Sequence, residues 1–117
     1  MSDIMSELGK INIDDVIKQA IVAAKGAAAG NWDELREYAK KAAKDLASNA
    51  VMIAKLLANG KIDETVAKQL TEEEKTVVRM KLRTVIGIGV VMAENVLNAL
   101  LGVLRNTFNS VLGFAAL

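Results

Sequence analysis

The chain has 117 residues with a formal net charge of +1 at pH 7; 52% of its residues are hydrophobic and only 3% are aromatic. It contains no cysteine and no histidine, which excludes disulfides and thiol chemistry and removes the commonest general base and the commonest metal ligand. The small net charge provides no overall field that would attract nucleic acid. We therefore expect one domain that is not an enzyme, holds no cofactor or metal, and does not bind nucleic acid.

Residues 1–12 are predicted to form a loosely ordered arm at the start of a single domain that spans 1–117. Asp3 and Glu7 lie where a secretory signal would need basic and then apolar residues. We therefore expect a cytoplasmic location.

The first helix is predicted to run from Ile13 to about Ala29. Asp14 and Asp15 lie in its first turn, where the helix dipole favours negative charge. Gly30 would then cap its carboxyl end.

A second helix is predicted from Trp32 to Ala58, ended by the Asn59-Gly60 pair. Its start is indicated by Asn31, which has the residue type of an N-cap and is followed by acids. The apolar face is mostly alanine, so that neighbouring helices can approach closely. The first half, from Asp33 to Asp45, is heavily charged and is expected to face solvent.

A short third helix, from about Asp63 to Leu70, is predicted to act as a connector. The segment Thr71-Glu-Glu-Glu74 has the pattern of a capping box, which marks the start of a helix. The terminal helix is therefore predicted to begin at Glu72 and to extend as far as Phe114.

Polar residues recur every eleven positions along this terminal helix, as the pairs Glu72-Glu73, Arg83-Thr84, Glu94-Asn95 and Arg105-Asn106. An eleven-residue repeat fits three helical turns and describes a nearly straight helix. From Arg83 onward almost everything outside this stripe is apolar, and a helix of that kind must be surrounded by other helices or by lipid. We expect a buried polar stripe, or an interface, at Arg83, Glu94, Asn95, Asn98, Arg105 and Asn109.

A continuous helix over residues 72–114 would be about 64 Å long, whereas a compact chain of this size is only about 35 Å across. The helix must therefore break, near Gly87-Ile-Gly89 or Gly102, or it must project into a partner. The polar stripe keeps its register across these glycines, which favours a continuous helix. We accordingly expect a homo-oligomer.

A membrane span is the alternative, because Val85 to Leu104 is twenty residues long and contains one charge. Against it, Glu94 and Asn95 would lie near the centre of the bilayer, where a carboxylate costs about 2.5–3.5 kcal/mol on insertion scales. The stripe also continues beyond the flanking arginines, as a bundle helix requires.

Glu94 is the most suggestive candidate residue, since its helical neighbours include Val90, Val91 and Leu97. It is either a carboxylate that binds protons or a metal, or a structural group paired with an arginine or lysine from another helix or subunit. The structural interpretation is favoured.

Other motifs favour ordinary structural roles over sites. Glu34 and Glu37 have a di-metal spacing, but such sites also need histidine. Gly87-Ile-Gly89 lies within a predicted helix and not in a phosphate-binding loop after a strand. The basic cluster Arg79, Lys81 and Arg83 lacks the stacking aromatics of a nucleic-acid site.

The predicted fold is an all-α helical bundle, in which two alanine-rich helices and a short connector pack against a long hydrophobic C-terminal helix. The expected function is that of a non-enzymatic interaction or structural protein that self-associates through its apolar C-terminal helix. The alternative is a membrane-active protein or one that binds lipid or another apolar ligand.

Overall fold

The computed structural model describes residues 2–85, 87–112 and 117, and helices account for nearly all of them. The five α-helices are α1 (Ser2–Gly9), α2 (Ile13–Ala28), α3 (Trp32–Ala58), α4 (Glu64–Arg83) and α5 (Gly89–Leu112). They pack into a body with extents of 45 × 25 × 18 Å. The all-α bundle predicted from the sequence is confirmed.

Helix α1 occupies the segment that was expected to be a loosely ordered arm. Residues 2–9 form a helix that contacts both α3 and α5, and Leu8 joins the core. The apolar residues Ile4, Leu8 and Ile11 give this segment something to bury, so a tertiary contact holds a helix too short to be stable alone.

Helix α2 begins where predicted and ends one residue early. The Asn12 side chain caps its start by accepting a hydrogen bond from the Asp15 backbone N–H at 3.2 Å. Gly30 is not its cap: Ala29 makes the turn instead, with φ of 51°, and a 3-10 turn follows over Ala29–Asn31. The turn is thus set one residue ahead of the glycine.

The buried face of α2 recurs every four residues, at Val16, Ala20, Ala24 and Ala28. Alanine leaves the backbone close to the helix surface, and α2 makes its most extensive contact with α5. The large apolar side chains of α5 therefore pack into a face of small ones.

Helix α3 has the predicted bounds. Asn31 precedes it without a capping side-chain hydrogen bond. At the other end Gly60 takes a φ of 69°, and the Lys61 N–H donates to the Leu56 carbonyl at 2.9 Å. This glycine supplies the left-handed turn with which helices commonly end.

Helix α4 corrects the prediction of a connector followed by a new helix at Glu72. One helix runs from Glu64 to Arg83, and Asp63 caps it by accepting from the Val66 N–H at 2.9 Å. Thr71 is buried inside this helix, where its hydroxyl donates to the Ala67 carbonyl at 3.0 Å. No glycine or proline interrupts residues 64–83, so helix continuity outweighs the local capping pattern.

The predicted long helix is broken at Gly87 and Gly89. These two glycines have φ values of 83° and 79°, and the turn between α4 and α5 is anchored by the buried side chains of Val85 and Ile88. Gly102 lies inside α5 and breaks nothing. The preference for a continuous rod was wrong, because a positive φ at both glycines lets α5 fold back, and the argument for a homo-oligomer from rod length falls with it.

The apolar face of α5 lies at the centre of the bundle. Leu97, Leu100, Leu101, Leu104 and Phe108 are buried, and all four other helices contact α5. The break at Gly87 and Gly89 also lies within the apolar stretch, Val85 to Leu104, that was considered as a membrane span. In the part of the chain that the structure describes, no helix has the length and apolarity needed to cross a bilayer. The predicted helix end at Phe114 lies outside the described residues.

Candidate functional site

Glu94 is the centre of an ion-pair cluster that joins α4 to α5. Its Oε1 accepts hydrogen bonds from Arg79 Nε at 2.5 Å and from Arg83 Nη2 at 3.2 Å. Arg79 and Arg83 lie one helical turn apart on α4, so both reach the same carboxylate on α5. The Glu94 side chain is 29% exposed. Glu94 is thus paired with two arginines of another helix, which is the kind of partner that the structural interpretation of this residue expects.

The rest of the predicted stripe is not buried. Asn95, Asn98 and Arg105 are exposed on the outer side of α5, Asn109 is half-buried, and Arg83 belongs to α4. The eleven-residue repeat therefore marks the side of α5 that faces away from the core. Whether this stripe forms an interface stays a prediction.

Lys75 is a buried charge that the sequence pattern did not single out. Its side chain is only 9% exposed, and its Nζ contacts Glu72 Oε1 at 3.0 Å and the Leu117 carbonyl oxygen at 3.3 Å. The same carbonyl accepts from Arg105 Nε at 2.8 Å, and the Leu117 N–H donates to Asn109 Oδ1 at 3.0 Å. These contacts satisfy Lys75 and tie Leu117 to α4 and α5.

Two features of the polar side chains hold throughout residues 2–85, 87–112 and 117. Within these ranges no three acidic side chains lie close enough to hold a metal ion. No buried side-chain nitrogen or oxygen of these residues lacks a hydrogen-bond partner.

The cations of the basic cluster on α4 are paired with acids of neighbouring helices. Arg79 and Arg83 contact Glu94, while Lys81 Nζ lies 3.8 Å from Asp45 Oδ2 on α3. Each of the three cations thus has an acidic neighbour within the chain.

A small cavity of about 200 Å³ opens to the surface between α3 and α4. The buried residues Ala42, Val78 and Leu82 form its apolar floor, and the exposed Tyr38 lies at its edge. The charged side chains at its rim are Glu37, Lys41, Asp45 and Lys81. Alanine at position 42 leaves this space, because a larger side chain there would fill the gap toward α4.

One exposed aromatic side chain lines this cavity: Tyr38, the single tyrosine of the sequence, is 46% exposed. Val77 and Met80 on α4 are also exposed but do not line the cavity. We refer to the cavity and to Tyr38 at its edge as the α3–α4 groove.

Sequence reasoning missed this groove because it treated the first half of α3 as a solvated charged surface. The i, i+4 spacing of Tyr38 and Ala42 within that charged half was the available signal. A lone aromatic residue next to an alanine, facing out from a charged helix, indicates a surface with an apolar recess.

Comparisons of the chain with protein-family models, with curated proteins and with solved structures found no match.

Proposed function

We propose that this protein is a non-enzymatic interaction module that self-associates, and that it does so through surfaces other than the apolar face of α5. The observation that carries the proposal is the α3–α4 groove, where an apolar recess and the exposed ring of Tyr38 occur together on a charged surface. Exposed apolar surface next to a recess is typical of protein interaction sites.

The burial of α5 changes which surface can associate. The large side chains of its apolar face are covered by helices of the same chain, so exposing them to a partner would require the bundle to open. Association through the α3–α4 groove requires no such rearrangement and agrees with the small structural change that most interfaces undergo.

The size of the groove also favours a protein partner. Pockets for small ligands usually have about 300–1,000 Å³, whereas this cavity has about 200 Å³. A cavity of roughly 150 Å³ already holds one benzene ring. The recess is therefore suited to one anchoring side chain, as in the centre of a protein interface.

The test is the solution mass of the purified chain, measured by sedimentation velocity without detergent from about 1 to 500 μM. Typical self-association constants of modest interfaces fall inside this range. We expect the mass to rise from monomer to a discrete oligomer. A monomer of unchanged mass over the whole range would contradict self-association.

A second candidate function, the binding of a small apolar ligand, is supported by the apolar floor of the same cavity. Native mass spectrometry distinguishes the two: it would detect a monomer with a bound small molecule in the one case and a ligand-free oligomer in the other. Co-sedimentation with vesicles of mixed anionic and neutral phospholipid tests the membrane-active alternative.

A further inference from the structure

The charges of the first half of α3 are ordered along the helix. The exposed acids Asp33, Glu34 and Glu37 come first, and the bases Lys40, Lys41 and Lys44 follow. A helix with this order complements a second copy of itself when the two run antiparallel, since each acidic end then lies against a basic end. The pattern thus favours a partner of the same sequence.

Arg36 and Asp45 depart from this order, and each is already paired with a residue of the same chain. Arg36 Nε lies 3.6 Å from Glu37 Oε1, and Asp45 lies 3.8 Å from Lys81. Among the described residues Lys41 has no acidic partner. A second copy would supply one.

The geometry of an antiparallel pair fixes which residues meet. In a two-fold symmetric interface the same patch of both copies is used, and contacts occur twice. With the axis at the level of Ala39, Glu37 lies opposite the partner's Lys41, and Glu34 lies opposite the partner's Lys44. One position of the two-fold axis therefore allows both pairs to form.

The same placement brings Tyr38 to the groove of the second copy. Side chains on a helix lean toward its N-terminus, and in an antiparallel pair this direction points toward the C-terminal side of the partner's α3. Tyr38 therefore leans toward the level of the partner's Ala42, which forms the floor of the recess. A cavity of about 200 Å³ accommodates one phenol ring.

We propose that two copies of this chain dimerise through the first halves of their α3 helices, packed antiparallel, with Tyr38 of each copy inserted into the α3–α4 groove of the other and reciprocal Glu37–Lys41 pairs at its edge. This interface rests on the self-association proposed above and specifies where it occurs. Tyrosine supplies both apolar area and a hydroxyl that can stay in contact with water at the rim.

Charge reversal tests the interface in a way that no structural role of these residues would reproduce. Glu37→Lys and Lys41→Glu each place like charges opposite one another in a dimer of identical copies, so each variant alone is expected to dimerise at least about tenfold more weakly than the wild type. An equimolar mixture of the two variants restores both opposite-charge pairs. We expect the mixture, and the double variant E37K/K41E, to dimerise close to wild-type strength by sedimentation velocity.

The matched control is the pair Glu64 and Lys68 on α4, which has the same spacing and is also exposed, with the two side chains 3.3 Å apart. Glu64→Lys and Lys68→Glu are expected to leave dimerisation unchanged. Tyr38→Ala should weaken the dimer at least about tenfold, whereas Tyr38→Phe, which keeps the ring, should retain it.

The outcomes separate this interface from the broader function. A wild-type dimer that neither single charge reversal weakens, or a mixture that fails to restore association, would overturn the interface while self-association stands. A wild-type chain that stays monomeric at all concentrations would overturn both. A small apolar molecule bound to the monomer, with affinity lost in Ala42→Leu, would assign the groove to a ligand and would likewise overturn the dimer.

Discussion

Helix α5 is the most apolar of the five helices, whereas the first half of α3 is one of the most charged segments. The environments of these two regions differ accordingly. The large apolar residues of α5, such as Leu101 and Leu104, are covered by other helices of the same chain. The first half of α3 has exposed charges on its outer side and an apolar recess beside them. Strong hydrophobicity thus marks the core within one chain, while a site for a partner is indicated by apolar surface that the chain leaves uncovered.

The largest loss of stability is expected when a charge is placed on the covered face of α5. Leu101 is 2% exposed, so Leu101→Asp removes a packed side chain and buries a carboxylate without a partner. We expect the free energy of unfolding to fall by at least about 4 kcal/mol, which is a large fraction of the stability of a small domain. Urea denaturation followed by circular dichroism at 222 nm measures it.

Val91→Asp is the matched control, because Val91 lies on the same helix but is highly exposed. It should change the free energy of unfolding by less than about 0.5 kcal/mol. If Leu101→Asp stayed fully folded and lost only self-association, the apolar face of α5 would be an interface after all.

The second test concerns the turn that returns α5 to the bundle. Gly87 has a φ of 83°, and a Cβ added there would meet no other atom within 4 Å. Gly87→Ala therefore introduces only backbone strain, and we expect a loss of about 1–2 kcal/mol. Thermal unfolding by calorimetry provides the measurement.

Gly102→Ala is expected to change the free energy of unfolding in the opposite direction, so it serves as the control. Gly102 lies inside α5 with open space for a methyl group, and alanine favours the helix by about 0.5–1 kcal/mol over glycine. A long helix broken at Gly102 instead of Gly87 would reverse both signs.

The parts of the fold that were predictable are those with strong local signals. Helix α3 was predicted from its capping acids and from Gly60, whose left-handed conformation no other residue adopts as readily. The interruption at Thr71 was wrong because a capping box also fits inside a helix when its threonine can donate to the carbonyl four residues back. Local pattern alone does not decide between these two states.

The candidate site was predictable only in part, since it depends on how helices pack. The kind of partner that Glu94 would need was clear from the cost of burying a carboxylate, but the identity of Arg79 and Arg83 required the turn at Gly87. The groove depends on the volume left between Ala42 on α3 and Val78 on α4. Such a volume is a property of two helices together, so the spacing of Tyr38 and Ala42 on α3 does not specify it without α4.

The third test removes the link between α4 and α5. Glu94→Gln keeps the size of the side chain but loses its charge, so its two contacts with arginines weaken. The group is partly exposed, and solvent screens such pairs; we expect a loss of about 1 kcal/mol by urea denaturation. In the double variant with Arg79→Met, the effects should be less than additive if the contact is direct.

The smallest change in the free energy of unfolding is expected for a charge reversal on the first half of α3. The Glu37 side chain is 77% exposed, so Glu37→Lys should change the free energy of unfolding of the monomer by no more than about 0.5 kcal/mol. The wild-type dimer, however, gains stability with protein concentration because association favours the folded state. We therefore expect the wild-type unfolding midpoint to rise between 1 and about 100 μM, and the midpoint of the variant to rise less over the same range. An equal rise in both would mean that the outer side of the first half of α3 takes no part in association.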